Sequence, residues 1–263
     1  MKKHRWFAAL AVMVMALAVA GCSDGSSGNE STTGSLGEIG NSSGAGNSGV
    51  DYSKCAVGDF VLKDGTVLSK DKTPESDTVA AVIVRAATND KPALGVGIVH
   101  NQSGLAWCTE SAAGHNTNIT ALVGDTTSGY MDGSDGWDLL VNACEDLKNA
   151  NSETIGIVAQ NYPAWNYCRN YGANNGLEGD LATGWYLPTM AELYPIYQNK
   201  AVVDASLSKA GGSTFGARWY WSCCQRPSYD GSARGLSWGG GVGMFTSSKN
   251  SSTLYVCSVR AFN

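Results

Sequence analysis

The chain has 263 residues, 43% of them hydrophobic, and 18 basic against 23 acidic side chains give a formal net charge of −5. That is enough apolar material for a sizeable core. The acidic balance excludes nucleic acid as an expected partner.

Lys2, Lys3 and Arg5 precede an uncharged apolar run from Trp6 to Ala20, which reads as the n- and h-regions of a secretory signal. The run is too short to cross a bilayer comfortably as a mature helix. It ends in Leu17-Ala18-Val19-Ala20-Gly21-Cys22, which resembles the lipobox of bacterial lipoproteins. The resemblance implies cleavage before Cys22, diacylglycerol on its thiol and acylation of the new N-terminus. Residues 1–21 are then a signal peptide, Cys22 is the lipidation site, and the membrane is met through that lipid anchor. Loss of Lys2, Lys3 and Arg5 leaves the mature chain at about −8 with His100 and His115 neutral. Seven further cysteines, 55, 108, 144, 168, 223, 224 and 257, are an odd number, so complete disulfide pairing is impossible and the fold is expected not to depend on it.

Ser23 to Val50 is almost entirely Ser, Gly, Asn and Thr. Such a segment cannot offset its ordering entropy by burial, so residues 22–50 read as an anchor and flexible tether reaching on the order of 30 Å. Residues 51–263 have the length of one domain. Phe60-Val61-Leu62 and Val67-Leu68 flank Lys63-Asp64-Gly65-Thr66, a hairpin signal because Asp-Gly tolerates positive φ at both central positions. Strands are expected from Thr78 to Arg85 and from Ala93 to Val99. Trp137, Leu140, Val141, Cys144 and Leu147 share one face of a helix starting near Gly136. Thr189-Met190-Ala191-Glu192 reads as a capping box, with Leu193 and Tyr197 on the buried face of its helix. Val202 to Ala210 forms another helix stopped by Gly211-Gly212. Aromatics then cluster in Phe215, Trp219, Tyr220 and Trp221. A Ser/Gly-rich stretch leads to a last strand over Leu254 to Phe262. Helices in the middle and strands at both ends predict an α+β domain whose terminal strands meet in one sheet.

Gly184-Trp185-Tyr186-Leu187-Pro188-Thr189, Glu192-Leu193, Tyr220-Trp221-Ser222 and Val259-Arg260-Ala261-Phe262 together resemble the formylglycine-generating-enzyme-like branch of the C-type-lectin-like fold. More narrowly, the chain is similar to the treponemal variable protein A-like lipoproteins of diversity-generating retroelements. The resemblance covers the mature domain. It implies a surface-exposed lipoprotein, by the same likeness in the outer membrane, whose C-terminal segment, about residues 222–255, varies to bind protein or other host or bacterial surface ligands. Mutagenesis at template adenines turns an Asn codon into any codon ending in a pyrimidine, which never encodes Lys, Glu, Gln, Met or Trp. Within the segment only Gln225, Trp238, Met244 and Lys249 belong to those types. Ser/Gly-rich loops of ordinary origin share that bias.

Binding loops favour Tyr for rigid contact area and Ser, Gly and Asn for adaptable hydrogen bonding. The resemblance further implies that the variable side chains stand on the sheet and loops at one end of the domain, with alternate positions along each strand pointing out to ligand, and the expected contact residues are Cys223, Arg226, Ser228, Tyr229, Asp230, Ser232, Arg234, Leu236, Ser237, Gly239, Gly240, Phe245 and Leu254. Trp221, Met244, Val256, Val259 and Phe262 are expected in the core, and Trp238 fits either class.

No enzyme is expected, and no cofactor or metal. Cys223-Cys224 superficially matches the reactive cysteine pair of the copper-dependent oxidases in this fold branch, but no flanking motif accompanies it. Cys108 with His100 or His115 reads as a buried thiol beside two loop or edge histidines. No cysteine pairs have zinc spacing. Calcium-dependent sugar motifs are absent, with only Gln225-Arg226-Pro227 in their place. Glu178 and Asp180 read as a solvated acidic loop. Gly239 to Gly243 does not match a phosphate loop. The competing expectation is an undiversified envelope or adhesin lipoprotein on the same fold.

Overall fold

The computed structural model describes residues 49–239 and 243–263, so Cys22, the tether up to Ser48 and Gly240 lie outside the described residues. A five-stranded antiparallel sheet is built from β1 (Phe60–Leu62), β2 (Val67–Leu68), β3 (Val79–Arg85), β4 (Ala93–Gly97) and β8 (Val259–Phe262), in the order β2-β1-β3-β4-β8. The last strand thus closes on the first four, as the order of elements predicted. It is shorter than expected. Tyr255 and Val256 make only isolated bridges, to Tyr220 and Asn101. The β1–β2 turn is the anticipated hairpin, but only Gly65 of its Asp-Gly pair takes positive φ, +85°. Asp64 instead accepts from the Thr66 amide at 2.9 Å.

β3 reads Val-Ala-Ala-Val-Ile-Val-Arg and is buried on both faces, which is why its pattern is continuous rather than alternating. The helical segments are α1 (Gly136–Ala143), α2 (Glu145–Lys148), α3 (Ile155–Val158), α4 (Pro163–Arg169), α5 (Tyr171–Asn174), α6 (Met190–Gln198) and α7 (Lys200–Lys209). α6 and α7 pack on β3, and Val82, Val84, Leu94 and Val96 share a core cluster with Leu193, Ile196, Val203 and Leu207. The opposite face buries Val61, Ala81, Ile83, Ala93 and Phe262 with Tyr171, Leu181 and Trp185. α1 ends one residue before Cys144, where the chain turns extended before α2. Leu140, Cys144 and Leu147 are buried as expected, while Trp137 and Val141 are half-buried.

Glycine at 97 is a packing requirement. A Cβ there would sit 2.3 Å from the Tyr171 ring. Gly97→Ala is therefore expected to cost about 1–3 kcal/mol through overpacking, read as a lower denaturant midpoint with an unchanged slope. An unchanged midpoint would show that Tyr171 yields freely.

A second antiparallel sheet comprises β5 (Trp219–Gln225), β6 (Ser232–Ser237) and β7 (Gly243–Ser248), in that order. The Ser/Gly-rich stretch is therefore largely strand. β5 is fixed by two indoles: Trp107 Nε1 donates to Ser222 O at 3.0 Å and Trp221 Nε1 to Leu105 O at 2.7 Å. All seven cysteines of the described residues are free and buried.

Candidate functional site

β5 is the inner strand of the second sheet, and from Tyr220 to Gln225 every residue is buried. Beyond it the hairpin of β6 and β7 reaches solvent. β6 and β7 pair over six consecutive residues without a register shift, from Ser232↔Ser248 to Ser237↔Gly243. β7 alternates half-buried and exposed positions, the period-two pattern of a strand with one solvated face. The register places Ser232, Arg234, Met244, Thr246 and Ser248 on that solvated face.

Arg234 extends along it, its Nη1 3.0 Å from the Met244 sulfur. The β5–β6 connection is exposed from Arg226 to Asp230. Ser228 turns it with φ +60°, and the Arg226 guanidinium lies 4.1 Å over the Tyr229 ring. At the other end of β5, Trp219 is 53% exposed and packs beside Phe245, ring centroids 5.3 Å apart. Phe245 stands over Gly235, where a Cβ would meet its ring at 2.5 Å. Ser237 Oγ reaches Gly239 O at 3.5 Å.

Of the expected contact residues, the sheet brings Arg226, Ser228, Tyr229, Asp230, Ser232, Arg234, Ser237, Gly239 and Phe245 to exposed or half-buried positions. Three do not reach the surface. Cys223, Leu236 and Leu254 are buried in the main core, a correction: β5, which carries Cys223, is covered on both sides, Leu236 packs beside it from β6, and Leu254, after β7, pairs with the Leu105 segment. The Cys223 amide donates to Pro188 O at 2.8 Å, and Leu254 O accepts from Leu105 N at 2.9 Å. Leu236 stands opposite buried Tyr220. Met244 is corrected the other way, because the outermost strand leaves it 50% exposed rather than in the core. His100 lies in the loop after β4 as expected, but it is buried there against Phe215 and Tyr220.

The sequence reading missed Trp219, Thr246 and Ser248 as exposed positions. Thr246 and Ser248 share the face of Met244, which the sequence reading placed in the core, so no local signal marked them as exposed. Trp219 opens an aromatic run and nothing local distinguishes it from its buried neighbours.

The supports beneath the sheet are more specific than hydrophobic packing. Gln225 accepts from Ile119 N at 2.5 Å and donates to Thr117 O at 3.1 Å. Lys249, fully buried, donates from Nζ to Gly114 O at 2.5 Å and Thr117 O at 2.9 Å, with the Trp107 ring 4.9 Å away. Burial lowers its pKa to about 8. Its amide donates to Gly231 O and its carbonyl accepts from Cys108 N, so one residue pins the ends of the hairpin to the scaffold.

Burial pushes the Cys108 thiol up to about 12 and holds Cys223 well above the ordinary thiol range, so neither is poised as a thiolate nucleophile. Among the described residues no cluster of three or more His, Cys, Asp or Glu side chains is placed to hold a metal. None of their helices is long and apolar enough to cross a membrane.

No family model matches the chain, and no curated protein matches it. Among solved structures it is similar to a fimbrial protein from Bacteroides ovatus ATCC 8483, with a TM-score of 0.51 and 12% sequence identity. The match covers 79% of this chain and 49% of that one, so the chain spans about half the length of that protein. At this identity the likeness bears on fold alone, and it agrees with the α+β architecture.

Proposed function

We propose that the chain is a surface-displayed, lipid-anchored ligand-binding protein with a C-type-lectin-like domain, and that the outer face and turns of the β5–β6–β7 sheet are its binding site. In this reading the protein is not an enzyme, and the sheet is diversified by retroelement mutagenesis. The observation that carries it is the sorting of residue types across the sheet. Gln225, Trp238 and Lys249, which adenine-directed mutagenesis cannot create, are buried beneath it. Exposed Arg226, Ser228, Tyr229, Asp230, Thr246 and Ser248 are all types such mutagenesis reaches. Met244 departs from the rule and belongs to the fixed part of the face. The likeness to a fimbrial protein is compatible with an envelope location, and equally with a fixed envelope protein.

Sequencing this locus and its downstream flank across many cells of one lineage tests the proposal. Differences concentrated at template adenines in the codons of the exposed residues are expected. An invariant segment with no adjacent template leaves a fixed adhesin or envelope lipoprotein. On the protein, exchanging Arg226, Ser228, Tyr229 and Thr246 for other polar residues is expected to change ligand choice. Stability should move within about 0.5 kcal/mol per site, as exposed substitutions do. A drop of several degrees in Tm for most such exchanges would show that these side chains hold the fold instead.

A further inference from the structure

The sheet differs from the rest of the chain in charge. From Phe215 to Asn263 the basic residues are Arg218, Arg226, Arg234, Lys249 and Arg260, and Asp230 is the one acidic residue, in a chain whose overall balance is acidic. Lys249 is consumed by the buried carbonyls of Gly114 and Thr117. Arg260 is consumed by the carbonyls of Thr183 and Asp180. That leaves Arg218, Arg226 and Arg234 around the candidate face.

None of the three is in an ion pair: the pairs among the described residues are Lys54–Asp51, Lys63–Asp77 and Lys200–Asp204. Each leans on a soft neighbour instead, Arg218 over the Tyr255 ring at 5.7 Å, Arg226 over Tyr229 and Arg234 against the Met244 sulfur. The nearby carboxylates are Asp230, in the exposed turn, and Glu110, which accepts from Asn250 at 2.6 Å.

Guanidinium groups placed over rings, as those of Arg218 and Arg226 are, keep their in-plane N–H forks free for carboxylates, and Arg234 keeps the donors other than the Nη1 that meets the Met244 sulfur. Exposed Tyr229 lies under Arg226 in the β5–β6 turn, and exposed Met244 stands on the face that carries Arg234. Trp, Tyr, Met and Arg are the residues enriched in protein-binding patches.

Building on the binding face proposed above, we infer that its partner is a protein presenting an extended acidic surface segment, with Asp or Glu carboxylates seated on Arg218, Arg226 and Arg234 and with apolar side chains on Tyr229 and on Met244. Charge complementarity of this kind raises association rate and fixes register, and it is weakened by salt.

The test is panning of a random-sequence peptide display library on the full chain in detergent, in parallel with two variants. One combines Arg218→Gln, Arg226→Gln and Arg234→Gln; the other combines Tyr229→Ser and Met244→Ser. Both change only exposed or half-buried side chains, and a wild-type Tm verifies their folding. Peptides enriched on the wild type should carry clustered Asp and Glu beside an aliphatic or aromatic residue. They should bind the arginine variant at least tenfold more weakly and lose affinity as NaCl rises.

Enriched peptides without acidic clusters that still lose binding to the Tyr229/Met244 variant overturn the acidic partner and leave the sheet as the binding face. Peptides indifferent to both variants overturn the partner and the face together. No enrichment at all, or tighter retention of the chain on heparin than on any selected peptide, overturns the acidic protein partner, the second result in favour of a polyanionic glycan.

Discussion

Glu192→Ala is expected to lower stability by about 3–5 kcal/mol, since each buried donor left unpaired costs about 1–3 kcal/mol. Glu192 is the N3 residue of the α6 capping box, and Thr189 at the N-cap donates to it twice, from its amide at 2.9 Å and its hydroxyl at 3.1 Å. Gly133 N donates at 3.1 Å and the Tyr186 hydroxyl at 2.7 Å. Four donors therefore converge on one buried carboxyl, whose pKa burial nevertheless raises above the ordinary carboxylate value. Truncation to alanine leaves those donors unpaired away from water and removes the side-chain half of the cap. Glu192→Gln, which keeps an acceptor oxygen and the shape, should cost clearly less. Urea denaturation of the two variants checks both statements, and equal losses would mean that shape rather than hydrogen bonding sets the cost.

The domain should lose about 2 kcal/mol between pH 7 and pH 5 through His100 alone, and about 3 by pH 4, at 1.36 kcal/mol per pKa unit. Burial lowers the His100 pKa from 6.5 to about 3, outweighing the Gly97 backbone group that favours the charged form. The imidazole sits 4.4 Å from the Phe215 ring and edge-on to Tyr220 at 6.0 Å. With the folded pKa depressed, the unfolded chain binds the proton first. Stability is full above the unfolded pKa near 6.5 and falls as pH drops from there toward 3. His100→Phe should flatten that part of the profile, measured as free energy of unfolding against pH. A slope unchanged by the substitution would assign the acid sensitivity to other groups.

The capping box at Thr189 was readable because its chemistry is local: the N-cap, N3 and preceding proline are all within a few residues. The meeting of terminal strands was also readable, since Phe60 to Val96 and Val259 to Phe262 carry strand patterns and the helices lie between them. The second sheet was not. β6 and β7 are built from Ser, Ala, Arg, Gly, Leu, Met, Phe and Thr, with too few apolar residues for a periodicity, and their pairing is set by β5.

The misplacement of Cys223, Leu236 and Leu254 has the same origin. Alternation assumes one solvated face; β5, which holds Cys223, has none, and Leu236 on β6 and Leu254 beyond β7 are drawn into the same core. Lys249 was likewise illegible, because its partners Gly114 and Thr117 lie more than a hundred residues away and are backbone carbonyls that any sequence supplies. Exposed Met244 is the converse case, an apolar residue left outside because β7 is the edge of its sheet.

The burial of Cys223, Leu236 and Leu254 within the stretch that also carries the exposed turn sets two kinds of selection side by side. A change at Tyr229 or Thr246 is judged by whichever partner meets it. A change at the three buried positions is judged first by the interior, where large-to-small substitutions cost about 2–5 kcal/mol. If the segment varies as proposed, copies that fail to fold drop out before they meet any ligand, so fewer of its codons can change freely than the segment contains.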